Sequence, residues 1–384
     1  MRFKFPFAAA FRLAWAAACF SAALLAVFPA PTYKLWMLAL GVTEWGHILA
    51  ALSLLCWLPG WRASACGRLG AALGLGAFFL AWTPLARSVS VASGLPKSLE
   101  RAFGSAGSRI GAPLSLSRAL LGASFGPTRF QTRAFSRRDG QELRMDIYSP
   151  AQAHSASPCV ISIHGGSWSG GNREDFSWMS RALASLGYVA VSIDYRLAPE
   201  APFPAAVEDV REAIAYVKRN AGELRIDPNR LALIGRSAGG QIALMAAYER
   251  PDPAVRGVVA FYAPTDLVYA YLRPVNPRVL DTWTVLRTYL GGEPKARRGL
   301  YERASPVNFV GPKTPPTLLI HGLRDEFVWD AHSELLERRL RARGRRGLYV
   351  RLPWATHGCD YNPSGPCGQL SRYAVENFLA AVFR

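Results

Sequence analysis

LALIGRSAGG, Leu231–Gly240, decides how the chain must be read. Four apolar residues of strand character run into Gly-Arg-Ser-Ala-Gly, and a helical pattern follows. A serine between glycines, with a strand before it and a helix after it, occupies a strained turn that exposes its hydroxyl. Gly235 and Gly239 are small so that strand and helix can approach, and Arg236 fills the variable place. Outward from this turn, strands alternate with helical stretches. CVISIH, YVAVSIDY, VRGVVAFYAP, PTLLIHG and LYVRLP read as strands. Helical patterns fall near Ser177–Leu186 and at Ala205–Asn220, Gly239–Arg250, Asp330–Arg343 and Leu370–Phe383. Upstream, RFQTRAFSRRDGQELRMDIYSP (Arg129–Pro150) predicts two strands around a turn at Arg138-Asp139-Gly140. The alternation implies a mostly parallel sheet covered on both faces. Ligands of such sheets bind beyond the carboxyl ends of the strands.

A serine hydroxyl is a poor nucleophile without a base. ATHGCD follows LYVRLPW, which puts His357 just past a strand, and LRDEFV follows TLLIHG, which puts Asp325 just past another. The chain order Ser237, Asp325, His357 is the one nucleophile-elbow enzymes use. The third candidate loop follows CVISIH as His164-Gly165-Gly166-Ser167-Trp168. A glycine pair at a strand end packs nothing, so something must need the bare backbone. Attack on an acyl carbon puts negative charge on oxygen, which N–H groups must meet in advance. Gly165, Gly166 and Ser167 are the candidate donors, with Ala238 from the serine turn. A phosphate cradle would need the Lys-Ser/Thr of a P-loop, which is missing. His164 has no further metal ligands at a plausible spacing and reads as a brace for the loop. No metal or organic cofactor is implied.

HGGSW, DYRLAPEAPFPAAVEDV (Asp194–Val210), GRSAGG, ASPVNFV (Ala304–Val310), HGLRDEFV and THG together resemble the α/β-hydrolase fold. More narrowly, they resemble the hormone-sensitive-lipase-type and bacterial carboxylesterases; the HGGxW form is also that of kynurenine formamidase-like members. The resemblance spans residues 128–384. It implies a Ser237–His357–Asp325 triad cleaving carboxylic esters through an acyl-enzyme. The irregular stretch Asp266–Pro306, with Trp283 and Tyr289, would be a small cap over the pocket. Ser167 departs from the lipase-type HGGG, which leaves the substrate class open. An amidase, formamidase, peptidase or acyltransferase could use the same triad. A non-catalytic receptor on this fold would have lost a triad member, and none is lost.

The N-terminal part lies outside the resemblance. Residues 1–110 carry ten of the 45 basic and two of the 27 acidic side chains, Glu44 and Glu100. Leu13–Phe28, Leu35–Leu58 and Leu69–Leu85 are apolar, with prolines between them and Trp36, Trp57, Trp61 and Trp82 near the ends. About 20 residues cross a bilayer, and tryptophans favour its interfaces. The expectation is three transmembrane helices over residues 1–90. Cleavage of the first as a signal peptide, favoured by Arg2, Lys4 and Arg12 before it, is the lesser alternative. Glu44 and His47 would lie on one face of the second helix, as a polar contact among the three. Transport by so few spans is a poor rival reading. Residues 91–127 predict a linker with amphipathic helices carrying Leu95, Leu99, Phe103, Ile110, Leu114 and Leu120, lying on the membrane or packed on the following domain. Residues 128–384 are the catalytic domain. The anchor is expected to be dispensable for the chemistry itself.

The formal charge of +18 raises nucleic acid as a partner. The basic residues are scattered arginines, and the dense run Glu337–Arg346 reads as an exposed helix end, so no nucleic acid is expected. The expected partners are a small-molecule or lipid-like acyl ester and membrane lipids, in a bacterial inner membrane. No oligomeric state is implied. Five basic residues near one side of the spans (Arg2, Lys4, Arg12, Arg62, Arg68) against four on the other (Lys34, Arg87, Lys97, Arg101) put the catalytic domain on the non-cytoplasmic side. Cys359 and Cys367 flank a Pro/Gly-rich loop after His357, and a disulfide there would agree with an oxidising compartment.

Overall fold

The computed structural model describes residues 6–105, 111–152 and 155–384. Arg2, Lys4 and Ile110, used above, lie outside the described residues. The core is one eight-stranded sheet: β1 Thr128–Arg138, β2 Gln141–Pro150, β3 Ser157–Ile163, β4 Val189–Ile193, β5 Ile226–Arg236, β6 Val255–Phe261, β7 Thr317–Gly322 and β8 Gly347–Leu352. Their spatial order is β1-β2-β4-β3-β5-β6-β7-β8, antiparallel through β1, β2 and β4 and parallel from β4 to β8. The β1–β2 hairpin turns at Asp139 and Gly140, both at positive φ, which matches the twist of the paired strands. All of β4 and of β7 is buried, because helices cover both faces and leave no polar side. The order 4-3-5-6 brings the ends of β3 and β5 side by side, with β7 and β8 two and three strands away.

Among the described residues four helices form an N-terminal unit: α1 Pro6–Leu24, α2 Tyr33–Glu44, α3 Gly46–Ser53 and α4 Ala65–Phe103. Among the described residues only α4 is by itself long and apolar enough to cross a membrane; α2, α3 and the short turn after them count as a second only if they form one broken span. The expected span Leu35–Leu58 is bent by 83° around Trp45. Glu44 and His47 therefore sit in different helices. Gly46 packs its Cα against the Ala81 carbonyl of α4, and Glu44 turns out to accept from Cys367 N at 3.3 Å. Of the first expected span, Leu13–Phe28, the helix ends at Leu24.

α4 runs 39 residues, about 58 Å, through the expected boundary at residue 90. Ser64 caps it by accepting from Gly67 N. Its first half presents Gly67, Gly70, Ala71, Gly74, Ala77 and Ala81, a small-residue stripe that lets α1 and α3 close in. Cys19, Ala23, Ala50, Ala77 and Ala81 form that small core. Its last turns bury Leu95, Leu99 and Phe103 under the sheet, and Phe103 meets Phe378 edge-on at 4.8 Å. Those three positions are thus packed on the sheet domain. Leu116–Leu121 is a separate short helix with Leu116, Leu120 and Leu121 exposed.

Candidate active site

β5 delivers Ser237 at φ 54°, ψ −122°, a strained conformation directly before the helix Ala238–Tyr248. The strain holds only because the neighbours fit: a side chain on Gly239 would enter the backbone of Ile163 and His164. The ends of β3 and β5 are locked together by this contact. Ser237 Oγ lies 3.0 Å from His357 Nε2. His357 Nδ1 lies 2.7 Å from Asp325 Oδ2. Three side chains from the ends of β5, β7 and β8 thus share one hydrogen-bonded chain.

Asp325 is buried and saturated. Its Oδ1 accepts from Phe327 N and Val328 N, each at 2.8 Å, and His321 Nε2 lies 3.2 Å from its Oδ2. Burial would raise its pKa, but the charge and hydrogen bonds of His357 and His321 outweigh it, and the carboxyl sits well below its usual range. Glu326 turns the other way, toward Thr356 Oγ1 and the N–H of Ala30.

The loop after β3 brings Gly165 against the Arg236 carbonyl and Ser237 Cβ. Gly166 has φ 111°, which only glycine adopts without strain, and Ser167 and Trp168 follow in the left-handed region. His164 braces the loop: its Nδ1 meets the Gly165 carbonyl at 2.7 Å and its ring stacks on Tyr195 at 4.2 Å. Trp168 donates to Gln241 Oε1 at 2.9 Å and stacks on Tyr289 of the cap at 4.2 Å. Ser167, Ser237 and Ala238 line one cleft. Its far wall comes from the cap, with Val275, Leu280, Val285 and Leu286, and from Phe327 and Trp329. His332 also lines it and is held neutral, with a pKa lowered to about 3 by burial and the neighbouring His321. Trp283, expected in the cap, is half exposed and donates to the Tyr271 carbonyl. Among the described residues no cluster of three or more His, Cys, Asp or Glu side chains could hold a metal.

Two supports escape sequence reasoning. Arg236, the variable residue of the serine turn, donates to Asp360 Oδ2 at 2.7 Å, and Tyr262 OH donates to Asp360 Oδ1 at 2.6 Å. Both ionic partners are buried, and the guanidinium lies between the rings of Phe176 and Phe261. Tyr262 in turn packs on His357, ring centres 4.4 Å apart. Beside them Cys359 and Cys367 form a disulfide. The serine turn and the histidine loop are thereby tied by a charge pair as well as by the Ser237–His357 contact. The other support is the N-terminal unit, whose Ala30 N–H and Leu25 carbonyl meet Glu326 and Arg324.

Residues 145–340 match the family model described as BD-FAE. The chain belongs to the BD-FAE family. Its fold is that of an α/β-hydrolase. Esterase LipQ of Mycobacterium tuberculosis is 30% identical over 261 residues, covering 64% of this chain and 60% of that protein. Esterase LipC of the same organism is 32% identical, covering 59% of each. A Pyrobaculum calidifontis esterase superposes with a TM-score of 0.58 at 27% identity, covering 76% of this BD-FAE chain and 92% of the other. The chain spans only 55–60% of the length of LipQ, LipC and the probable carboxylic ester hydrolase LipM of the same organism.

Proposed function

We propose that this chain is a serine hydrolase of carboxylic esters, seated in a membrane by its N-terminal helices. The observation that carries the chemistry is the unbroken chain Ser237 Oγ–His357–Asp325 beside a glycine loop and an apolar cleft. Ser237 attacks the acyl carbon as His357 Nε2 takes its proton. Asp325 holds the imidazole by Nδ1 and stabilises its charged form. Backbone N–H groups of the Gly165–Ser167 loop and of Ala238 meet the oxyanion, a contribution of about 3 kcal/mol for a single donor. His357 then gives its proton to the leaving alcohol, and water releases the acyl group from Ser237. The named esterase relatives support the reaction class, and the apolar cleft supports an acyl group of lipid character.

The membrane seat rests on α4 and on the apolar side chains that the helical unit turns outward. Phe11, Phe28, Met37, Leu58 and Phe79 are half exposed or more. A non-cytoplasmic catalytic domain is supported by the Cys359–Cys367 disulfide.

The test is Ser237→Ala in the full chain, assayed with p-nitrophenyl esters of rising chain length and with matched anilides. Hydrolysis should fall about 10⁴-fold or more while the protein stays folded. A fluorophosphonate should label wild type and not the variant. Equal labelling of both would remove Ser237 from the mechanism, and faster anilide than ester turnover would move the reaction to amides.

A further inference from the structure

The loops that carry Asp325 and His357 are both held from outside the sheet. Arg324 donates from Nη1 to the Leu25 carbonyl at 3.1 Å and from Nη2 to the Phe28 carbonyl. Glu326 takes the Ala30 N–H at 3.0 Å, and its other oxygen takes the hydroxyl of Thr356, the residue before His357. Phe327 stacks on His357, ring centres 5.0 Å apart and planes 16° apart. The indole of Trp36, in α2, packs on Phe327 at 4.4 Å. Every residue from 324 to 327 except the acid itself therefore leans on the segment between Leu25 and Trp36. Farther along α2, Glu44 accepts from Cys367 N and reaches the end of the disulfide loop.

We propose that Trp36 is a positioning residue for the catalytic base: through Phe327 it holds the His357 ring in register with Ser237 and Asp325. The inference rests on the triad reading above. An imidazole hydrogen-bonded at both nitrogens keeps the freedom to tilt about that axis, and only packing on its face removes it. Phe327 supplies that packing on one side and Tyr262 on another. Phe327 is itself half-buried and lines the cleft, so it needs a backing. Trp36 is that backing and does not itself line the cleft. A small misplacement of a reacting group costs about 10²-fold in rate, so loss of the backing falls on turnover. The N-terminal unit is then part of the catalytic apparatus and not a tether alone.

The test uses the detergent-purified full chain and p-nitrophenyl butyrate, with Trp36→Leu, Trp36→Phe and, as a control on the outer face of α4, Phe79→Ala. Trp36→Leu keeps most of the volume and guards against simple misfolding. It should lower kcat about 10- to 100-fold with KM within about threefold, while Trp36→Phe restores at least a third of wild-type turnover. The strongly deshielded proton resonance of His357 Nδ1–H should broaden or vanish in Trp36→Leu and persist in the other two. The thermal unfolding midpoint should stay unchanged in all three. Wild-type kcat in Trp36→Leu, a change in KM alone, or a loss of turnover proportional to lost folded protein would overturn the proposal. A wild-type protein with no Ser237-dependent turnover at all would instead overturn the hydrolase reading, which keeps the two failures apart.

Discussion

Asp325 and Glu326 are neighbours in sequence and opposites in environment. Asp325 is ringed by two N–H donors and two imidazoles. Glu326 has a hydroxyl and one N–H, and burial raises its pKa more than those bonds and the nearby Arg324 lower it, with the Asp325 charge raising it further. Asp325→Asn should keep the fold and lower kcat by up to about 10⁴-fold, because the imidazole takes the wrong tautomer. Glu326→Gln keeps groups that can meet both Ala30 and Thr356, so its kcat should stay within about threefold of wild type, by steady-state kinetics. The two also differ in pH dependence. A carboxyl whose folded pKa lies above its unfolded value near 4.3 favours the fold while protonated and loses that advantage as pH rises through the folded value. Relative to wild type, Glu326→Gln should therefore gain stability from about pH 4 upward and level off above the folded pKa. Urea unfolding at pH 4, 6 and 8 reads this, and a variant-minus-wild-type stability that falls with rising pH would contradict it. The three residues proposed to react could be picked out of the sequence because each lies within a few residues of a strand's carboxyl end. Arg236 and Asp360 were not, since a variable motif position and a loop acid 124 residues apart carry no mutual signal.

At the scale of elements, the histidine loop is fastened at several points. The disulfide closes a span of eight residues, Arg236 and Tyr262 hold Asp360, and Trp178 donates to the Asp360 carbonyl at 3.1 Å. Cross-linking a loop of this length restricts the unfolded chain by about 2.5 kcal/mol. Replacing Cys359 and Cys367 with alanine should cost about 2–3 kcal/mol by denaturant unfolding, and the loss of kcat should stay under about tenfold because the ion pair remains. An unchanged midpoint after reduction of wild type would show that the bond contributes nothing to stability. The strands were readable from their apolar runs, and the β1–β2 turn from Asp-Gly. The Leu35–Leu58 stretch is bent where one straight helix was expected, for a physical reason: composition counts apolar residues but does not see where the chain must bend. Glu44 finds its partner on the catalytic domain, and the helix breaks directly after it at Trp45.

For the whole molecule, the membrane-seated reading makes a prediction about sides. An alkaline-phosphatase fusion at Arg384 should be active and a green-fluorescent-protein fusion dark, because a disulfide-bearing catalytic domain belongs in an oxidising compartment. The reverse pattern, with two alkylatable thiols at Cys359 and Cys367, would put the domain in the cytoplasm. Of how the N-terminal helices meet the sheet domain, only the packing of Leu95, Leu99 and Phe103 was offered by the sequence, as one of two readings. The contacts of Ala30, Trp36 and Glu44 reach across some 300 residues, and no local pattern announces them.

α4 is gripped at both ends, by α1 and α3 at one and by the underside of the sheet at the other. A rod clamped in this way transmits torque. If the apolar end follows the lipid around it, a change in bilayer thickness that tilts the helix turns the hydrolase through the same angle. The cleft would then be aimed by the membrane like a lamp on a rigid stem, and labels at the two ends of α4 should keep one separation as lipid chain length is varied.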